Sequence, residues 1–264
     1  MKYEIELEFA MGIAREGGAI MKRYFRAADI DTQWKSDSTP LTVADTTINQ
    51  LVIDRVKSAY PAHGVHGEEA SYEADREYVW ICDPVDGTMP YSLGLPISTF
   101  SLGLLHDGQP VLGVVYDPFE DRLFSATAGG GAQLNGSPIH VSDHGLTDSY
   151  VDLEMLTGVP GALSLADLRA ALVARQVRPF SLFSFIMGSM LVASGQLTAA
   201  IFAFNKPEDL GAAKIIVEEA GGRVTDVTGR DQLYNGPING AVVSNGVAHD
   251  EVLQAIASAR VIER

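Results

Sequence analysis

The amino-acid sequence predicts a mixed fold, in which an α+β half is followed by an α/β half. Three observations lead to this prediction. Two long amphipathic helices open the chain, a series of short β-rich runs follows, and strands then alternate with helices to the end. The 264 residues, 46% of them hydrophobic, suffice for a large core, built as one domain or as two fused halves.

The spacing of apolar side chains predicts the first two helices. Tyr3 to Phe25 carries apolar residues at roughly helical intervals. From Val43 to Tyr60 the apolar side chains fall on one helical face, and Pro61 ends the pattern. These side chains are Ile5, Phe9, Ile13, Ile20 and Tyr24 in the first helix and Ile48, Leu51, Val52, Val56 and Ala59 in the second.

The stretch from Val79 to Val141 is typical of a β-meander, because its short β-rich runs are separated by Asp-Gly, Asp-Pro and Asn-Gly turns. Beyond it, we expect strands at 149–155, 198–204, 223–227 and 240–245 and helices at 165–175, 185–194, 209–220 and 250–259. The pair Gly221-Gly222 ends the third of these helices. We place the boundary between the halves within 142–148, which gives an N-terminal half 1–145 and a C-terminal half 146–264.

Composition excludes several classes of function. The net charge of −15 disfavours binding to nucleic acid or to an anionic membrane. No apolar run is long enough for a membrane span, and Glu4, Glu6 and Glu8 argue against a secretory leader. Cys82 is the one cysteine, so no internal disulfide can form. We therefore expect a cytoplasmic protein.

The sequence DPVDGT, which begins at Asp83, follows an apolar run that predicts a buried strand. Pro84 favours an extended conformation at Asp83, and Gly87-Thr88 can open a helix whose N–H groups attract phosphate. Two carboxylates and the Val85 carbonyl within four residues are ligands that Mg²⁺ prefers. The same residues would also suit an ordinary turn with a helix cap.

Further acidic residues stand at element ends beside apolar sequence. Glu68 and Glu69 follow a short apolar stretch, Asp45 lies in the first turn of the second helix, and Asp209 opens an apolar helix. Each has a structural alternative, as a solvated loop, a dipole partner or an N-cap. Gathered together, such charges would repel one another strongly unless cations lay among them. The pattern therefore favours a metal cluster.

The motifs GEE, DPVDGT and DLGAAKIIVEEAGG, in this order, resemble those of the inositol monophosphatase family. The resemblance covers nearly the whole chain. It implies a layered αβαβα sandwich of the sugar-phosphatase type, usually a homodimer. It also implies Mg²⁺-dependent hydrolysis of a small phosphate monoester by metal-activated water in an in-line displacement, with two or three ions at the site.

The resemblance implies a role for each matching position. Glu68, Asp83 and the Val85 carbonyl would hold one ion, and Asp83, Asp86 and Asp209 another. Asp45, Thr88 and Glu68 would be catalytic: the first two orient the attacking water, and Glu68 also holds a weaker third ion. Asp86, Gly87 and Thr88 would contact the substrate phosphate, while Glu69 would support the ligands from behind. The half 1–145 then carries most ligands, and 146–264 supplies Asp209 and the substrate pocket.

Several positions depart from the family pattern. Glu208 replaces the usual tryptophan before Asp209; it could add a carboxylate beside the site, although we expect it to face solvent. Phe202 stands where an acidic residue commonly binds polyol hydroxyls, which weakens the case for inositol. His66 replaces an aliphatic residue, and Tyr91 follows the DGT motif; we expect structural roles for both.

The central prediction is an inositol-monophosphatase-like enzyme acting on sugar or polyol phosphates. Fructose-1,6-bisphosphatase, histidinol-phosphatase and adenosine 3′,5′-bisphosphate phosphatase of the same superfamily remain open. A protein that binds metal and phospho-ligand without catalysis is disfavoured because all the motif ligands are present.

Overall fold

Helical layers and β-sheets alternate in the computed structural model, which describes residues 2–26, 33–34, 40–154 and 164–259. The α-helices are α1 Glu4–Tyr24, α2 Val43–Ala59, α3 Thr88–Ser92, α4 Leu165–Val173, α5 Phe185–Ala193, α6 Gly211–Glu219 and α7 His249–Ser258. The strands are β1 Gln33–Trp34, β2 Pro40–Leu41, β3 Gly64–Gly67, β4 Tyr78–Asp86, β5 Thr99–His106, β6 Gln109–Asp117, β7 Arg122–Thr127, β8 Gly131–Leu134, β9 Ser137–Pro138, β10 Tyr150–Glu154, β11 Arg178–Phe180, β12 Ala199–Phe202, β13 Arg223–Thr225 and β14 Ala241–Ser244.

The first layer consists of α1 and α2, which pack on one face of the larger sheet. α1 buries residues three or four apart, including Ala10, Ile13, Gly17 and Met21, because these positions share one side of a helix. α2 begins with a capping box between Thr42 and Asp45. The apolar faces of both helices join one core cluster with the strands below them.

The larger sheet has seven strands in the order β3-β4-β5-β6-β7-β8-β9. β3 and β4 are parallel, whereas each later neighbour is antiparallel. Short connections and Gly-containing turns favour these hairpins. The central strands are buried on both faces, since Trp80 and Leu102 belong to the cluster on one side and Ile81 and Leu105 to the cluster on the other.

The middle layer, α5 and α6, lies between the two sheets. Eight of the nine residues of α5 are buried, as expected for a helix covered on all sides. One core cluster joins both helices to Val79 and Val115 of the larger sheet and to Ala200 and Val243 of the smaller one. The two sheets therefore share a continuous core.

The smaller sheet has five strands in the order β11-β10-β12-β14-β13. Its outer face packs against α4 and α7, where Leu168 and Val252 meet Val151 and Val242. The complete sequence of layers is helix, sheet, helix, sheet, helix, which confirms the predicted αβαβα sandwich. The larger sheet is built from 64–138 and the smaller from 150–244. The division into functional halves at 145/146 stays a prediction.

The predicted elements agree in type with those observed. The strand that carries the aspartates runs on through Asp86, beyond the apolar run that predicted it, and its pairing with β5 shifts between Asp83 and Asp86. Asp209 closes a short 3₁₀ turn, Pro207–Asp209, instead of lying in α6. None of the helices formed by the described residues combines the length and the apolar character that a membrane span needs.

His249 provides a pH-dependent contribution to stability. Its imidazole is buried between the Thr225 and Ser244 hydroxyls, with Nε2 3.0 Å from Thr225 Oγ1 and Nδ1 2.7 Å from Ser244 Oγ. Thr225 donates its own proton to the Asp226 carbonyl, so it accepts from Nε2–H and leaves Nδ1 to accept from Ser244. Burial, and then the charge of Arg223, lower the His249 pKa from 6.5 to about 4.

We expect acid to destabilise the protein through His249. Between the unfolded pKa of 6.5 and the folded pKa of about 4, the unfolded chain binds more protons, so stability falls as the pH falls through this window. The loss is about 3 kcal/mol at the acid end. Urea unfolding at pH 7 and pH 4 measures it, and His249→Gln should show a correspondingly shallower pH dependence. Parallel curves for the two proteins would contradict the assignment.

Candidate active site

The C-terminal end of β4 supplies two buried aspartates. Asp83 is 3% exposed, and its Oδ1 accepts the N–H of Val85 at 3.0 Å. Asp86 is 7% exposed, and its Oδ2 accepts the Ser184 hydroxyl and the Thr99 hydroxyl, the latter at 3.2 Å. The irregular pairing between the two aspartates turns both carboxylates away from regular strand geometry and fixes them by local hydrogen bonds.

Gly87 makes the sharp turn from β4 into α3. Its φ of 77° lies in the left-handed region. A Cβ at this position would also come within 2.7 Å of the Ile97 carbonyl oxygen and 3.0 Å of Ser184 Cβ. Glycine is therefore required here on both counts, and the turn places Thr88 directly beyond Asp86.

Asp45 reaches the same region from α2. It is fully buried, and its Oδ2 accepts both the N–H and the hydroxyl of Thr42, at 2.8 and 2.5 Å. Its Oδ1 lies 3.5 Å from Thr88 Oγ1, at the outer limit of a hydrogen bond. The Thr88 hydroxyl is closer to the Val85 carbonyl oxygen, at 2.9 Å. A carbonyl oxygen has two lone pairs, so this contact leaves Val85 able to accept a second partner.

Glu68 and Glu69 follow β3 and lie beside Asp45. One carboxylate oxygen from each of the three residues falls within 4.8 Å of the others. Asn49 of α2 orients this turn, because its Oδ1 accepts the N–H of Glu69 at 3.2 Å and its amide donates to the Ala70 carbonyl at 2.9 Å. Glu69 therefore belongs to this carboxylate group together with Glu68 and Asp45.

Asp209 is placed by the close approach of α6 to β4. A Cβ on Gly211 would come within 2.6 Å of Ile81 Cγ2, so only glycine allows the helix to start against the strand. The 3₁₀ turn before Gly211 then carries Asp209 toward Asp83. Four separate segments supply the group that we call the acidic cluster, which consists of Asp45, Glu68, Glu69, Asp83, Asp86 and Asp209.

The electrostatics reflect this crowding of acids. Burial, followed by the charge of Glu68, raises the pKa of Asp83 and of Asp209 well above the usual range. Burial is also the main reason that the pKa of Asp45 and that of Asp86 rise to about 7. Protein charges near the acidic cluster do not fully offset its repulsion, so these four aspartates are costly to ionise in the metal-free protein.

The acidic cluster fits a hard divalent cation. Its donors are carboxylate oxygens and one backbone carbonyl, which are the ligands of Mg²⁺. A cation among them would relieve the repulsion between the carboxylates. An ordinary turn, the structural alternative for Asp83 and Asp86, does not explain why Asp45, Glu68 and Asp209 converge on them.

Two residues near the acidic cluster differ from expectation or were missed. Glu208 is 7% exposed instead of facing solvent, and its Oε2 lies 3.5 Å from His66 Nε2. Glu208 and His66, which both depart from the family pattern, therefore lie side by side, and the expectation that Glu208 faces solvent was wrong.

Lys206, which the sequence analysis did not single out, places Nζ 2.9 Å from Glu68 Oε1. The sequence signal that could have identified Lys206 is its position as a basic residue three positions before Asp209.

Several phenylalanine side chains lie on or near α5 and β12. Phe202 is buried and stacks on Phe185 with ring centroids 4.4 Å apart, and Phe204 lies 4.8 Å from Phe202. Phe183 is 56% exposed with a φ of 56°, and its carbonyl oxygen would lie 3.2 Å from a Cβ at Gly87. Glu154 holds this segment by accepting the Phe183 N–H. Phe185 and Phe202 therefore belong to the buried core, whereas the ring of Phe183 is exposed.

Tyr91 has the predicted structural role. It is fully buried, and its hydroxyl donates to the Met21 carbonyl at 2.7 Å, which ties α3 to α1. Burial raises its pKa above the ordinary value. Its ring also lies 5.5 Å from Phe25, within the aromatic packing beneath the site.

Comparison with known proteins gives matches along nearly the whole chain. The family model described as "Inositol monophosphatase family" matches residues 3–260. Histidinol-phosphatase from Chlorobaculum parvum is 32% identical over 256 residues, which make up 95% of this chain and 96% of that protein. Fructose-1,6-bisphosphatase/inositol-1-monophosphatase from Thermotoga maritima is 30% identical over 258 residues, 95% of each. The solved inositol monophosphatase of Anabaena (Nostoc) sp. PCC 7120 is 28% identical, with a TM-score of 0.81 over 99% of this chain and 98% of that one.

Proposed function

Because the chain belongs to the inositol monophosphatase family of Mg²⁺-dependent phosphomonoesterases, we propose that the acidic cluster is its active site. As a member of this family, the protein is a phosphoric monoester hydrolase. The observation that supports this proposal is the convergence of the buried carboxylates of Asp45, Asp83 and Asp86 with the half-buried carboxylates that follow β3 and precede α6. Its substrates are small phosphorylated compounds.

We propose the metal ligands that the resemblance implied. Glu68, Asp83, Asp86 and Asp209, with the Val85 carbonyl, would hold two or three Mg²⁺ ions. Bound Mg²⁺ supplies positive charge that acidifies water and offsets the charge that develops on the phosphate and leaving-group oxygens. Glu69, which lies close to Asp45 and Glu68, supports the ligands in this proposal.

The remaining residues position the reactants. The N–H groups of Gly87 and Thr88 follow Asp86 directly and would bind the substrate phosphate, because they lie in a turn that leads into a helix. Thr88 and Asp45 would orient the attacking water, with the Thr88 hydroxyl passing a proton toward the carboxylate. The carboxylate of Asp45 is placed to accept that proton, because its Oδ1 lies 3.5 Å from Thr88 Oγ1.

We propose a small sugar or polyol phosphate as the main substrate class. A second candidate, histidinol phosphate, is favoured by the exposed ring of Phe183, whose backbone lies next to Gly87, because an imidazole ring packs well against an aromatic side chain. The 32% identity to a histidinol-phosphatase points the same way. Fructose 1,6-bisphosphate and adenosine 3′,5′-bisphosphate stay as further alternatives within the superfamily.

We also propose a homodimer that works in the cytoplasm, with the half 146–264 forming the substrate pocket. Cys82 is the one cysteine of the chain and is buried, which is consistent with a reducing compartment.

A substrate panel tests the proposal. We would measure kcat/KM with Mg²⁺ for inositol 1-phosphate, fructose 1,6-bisphosphate, histidinol phosphate and adenosine 3′,5′-bisphosphate, each with an EDTA control. The highest value is expected for inositol 1-phosphate. A value about tenfold higher for histidinol phosphate, equivalent to about 1.4 kcal/mol of transition-state binding, would establish the second candidate instead. If none of the four is hydrolysed faster than in EDTA, both candidates are wrong.

A further inference from the structure

We propose that Lys206 is a built-in counter-ion of the acidic cluster, and that its ammonium group competes with a divalent cation for Glu68. This inference rests on the proposed function, because it assumes that the acidic cluster is the metal site. It adds a role for a residue outside the proposed ligand set. Lys206 would affect two quantities: the affinity of the site for Mg²⁺, and the stability of the metal-free protein, in which the carboxylates repel one another.

The contact between Lys206 and Glu68 is direct and sheltered. Nζ lies 2.9 Å from Glu68 Oε1, a distance typical of a charge-assisted hydrogen bond. The Glu68 side chain is 10% exposed and that of Lys206 is 32% exposed, so water screens the pair only in part. The two residues are 138 positions apart in the sequence. The fold therefore creates this pair, which has no local cause.

Lys206 also faces other members of the acidic cluster. Its Nζ bonds to Glu68, and the charges of Asp209 and Asp83 also attract it. The same three carboxylates repel one another. One ammonium group therefore offsets part of the charge of three acids, as a metal ion would.

The position of Lys206 in the chain makes this arrangement specific. It immediately precedes the turn Pro207–Asp209, and Pro207 fixes the backbone direction on one side of it. Its backbone therefore moves with Asp209, while its long flexible stem lets Nζ leave Glu68 without moving the turn. A divalent ion that uses Glu68 Oε1 must displace Nζ, and this displacement weakens the apparent affinity for metal.

Lys206→Met is the variant that tests the competition, because it keeps the length of the stem and removes the charge. We would measure Mg²⁺ binding by isothermal titration calorimetry and thermal unfolding in EDTA. The variant is expected to bind Mg²⁺ about tenfold more tightly, because one positive charge no longer opposes the ion. In EDTA its melting temperature should fall by about 5 °C, because the carboxylates lose their counter-ion.

Lys214→Met is the matched control. Lys214 is buried on α6, and its Nζ pairs with Glu218 at 2.6 Å and Asp231 at 3.0 Å, away from the acidic cluster. This variant should lower the melting temperature and leave the Mg²⁺ dissociation constant within twofold of wild type. Lys206→Arg, which keeps the charge, should bind Mg²⁺ no more tightly than wild type does.

The possible results separate the two proposals. Unchanged or weaker Mg²⁺ binding by Lys206→Met overturns the role of Lys206, and leaves the proposed active site standing as long as wild type binds Mg²⁺ and hydrolyses phosphate monoesters. Wild-type protein that binds no Mg²⁺ overturns the metal site and the role of Lys206 together. Tighter binding by Lys206→Met alone, with a lower melting temperature in EDTA, supports the proposal.

Discussion

Asp86→Asn is expected to lower kcat/KM by about a thousandfold, or about 4 kcal/mol of transition-state stabilisation. Asparagine keeps an acceptor oxygen for the hydroxyls of Ser184 and Thr99, so the local hydrogen bonds survive. It removes the negative charge that the proposed site uses to hold Mg²⁺ next to the substrate phosphate. Because burial already raises the pKa of Asp86 to about 7, a neutral residue fits this position in the metal-free protein.

The stability of the Asp86→Asn protein is the necessary second measurement. Its melting temperature in EDTA should stay within a few degrees of wild type, so that lost activity reflects chemistry. Asp117→Asn is the control, because Asp117 is also buried but pairs with Arg122 at 2.9 Å on the β6–β7 hairpin. That variant should lose stability and keep its turnover. Near wild-type turnover in Asp86→Asn would refute the assignment of Asp86 to the metal site.

Thr88→Ala is expected to lower kcat by about a hundredfold, while the Mg²⁺ dissociation constant stays within about twofold of wild type. The hydroxyl of Thr88 lies 2.9 Å from the Val85 carbonyl oxygen and 3.5 Å from Asp45 Oδ1, so it stands between a proposed metal ligand and the proposed proton acceptor. Alanine keeps the backbone N–H that would bind phosphate. The loss should therefore appear in turnover and only weakly in KM.

Thr88→Ser is the matched variant, because serine restores the hydroxyl without the methyl group. It should recover most of the lost turnover. Calorimetric Mg²⁺ titration of both variants separates the two possible roles of Thr88. If metal affinity falls in parallel with kcat in Thr88→Ala, the hydroxyl maintains the geometry of the Val85 carbonyl, and its proposed action on water is wrong.

Local sequence determines a large part of this molecule. Apolar residues three or four apart define α1 and α2, because the same spacing puts them on one helical face. The DPVDGT sequence predicts that the strand ends in a tight turn, because glycine readily adopts a positive φ. The φ of Gly87 does lie in this region. These features depend on neighbours within about ten residues, and so the sequence contains both the signal and its cause.

The tertiary structure alone decides which distant side chains meet. Ser184 bonds to Asp86 across 98 positions, and Lys206 bonds to Glu68 across 138. Nothing near Ser184 in the sequence indicates its partner. Glu208 looked like a solvent-facing charge at a helix start, yet the packing of α6 onto β4 turns it inward to His66. Secondary-structure propensity depends on steric contacts between residues that are near in sequence. Electrostatic interactions also act between residues that are distant in sequence. The packing of the layers therefore decides which charged side chains come close enough to offset one another.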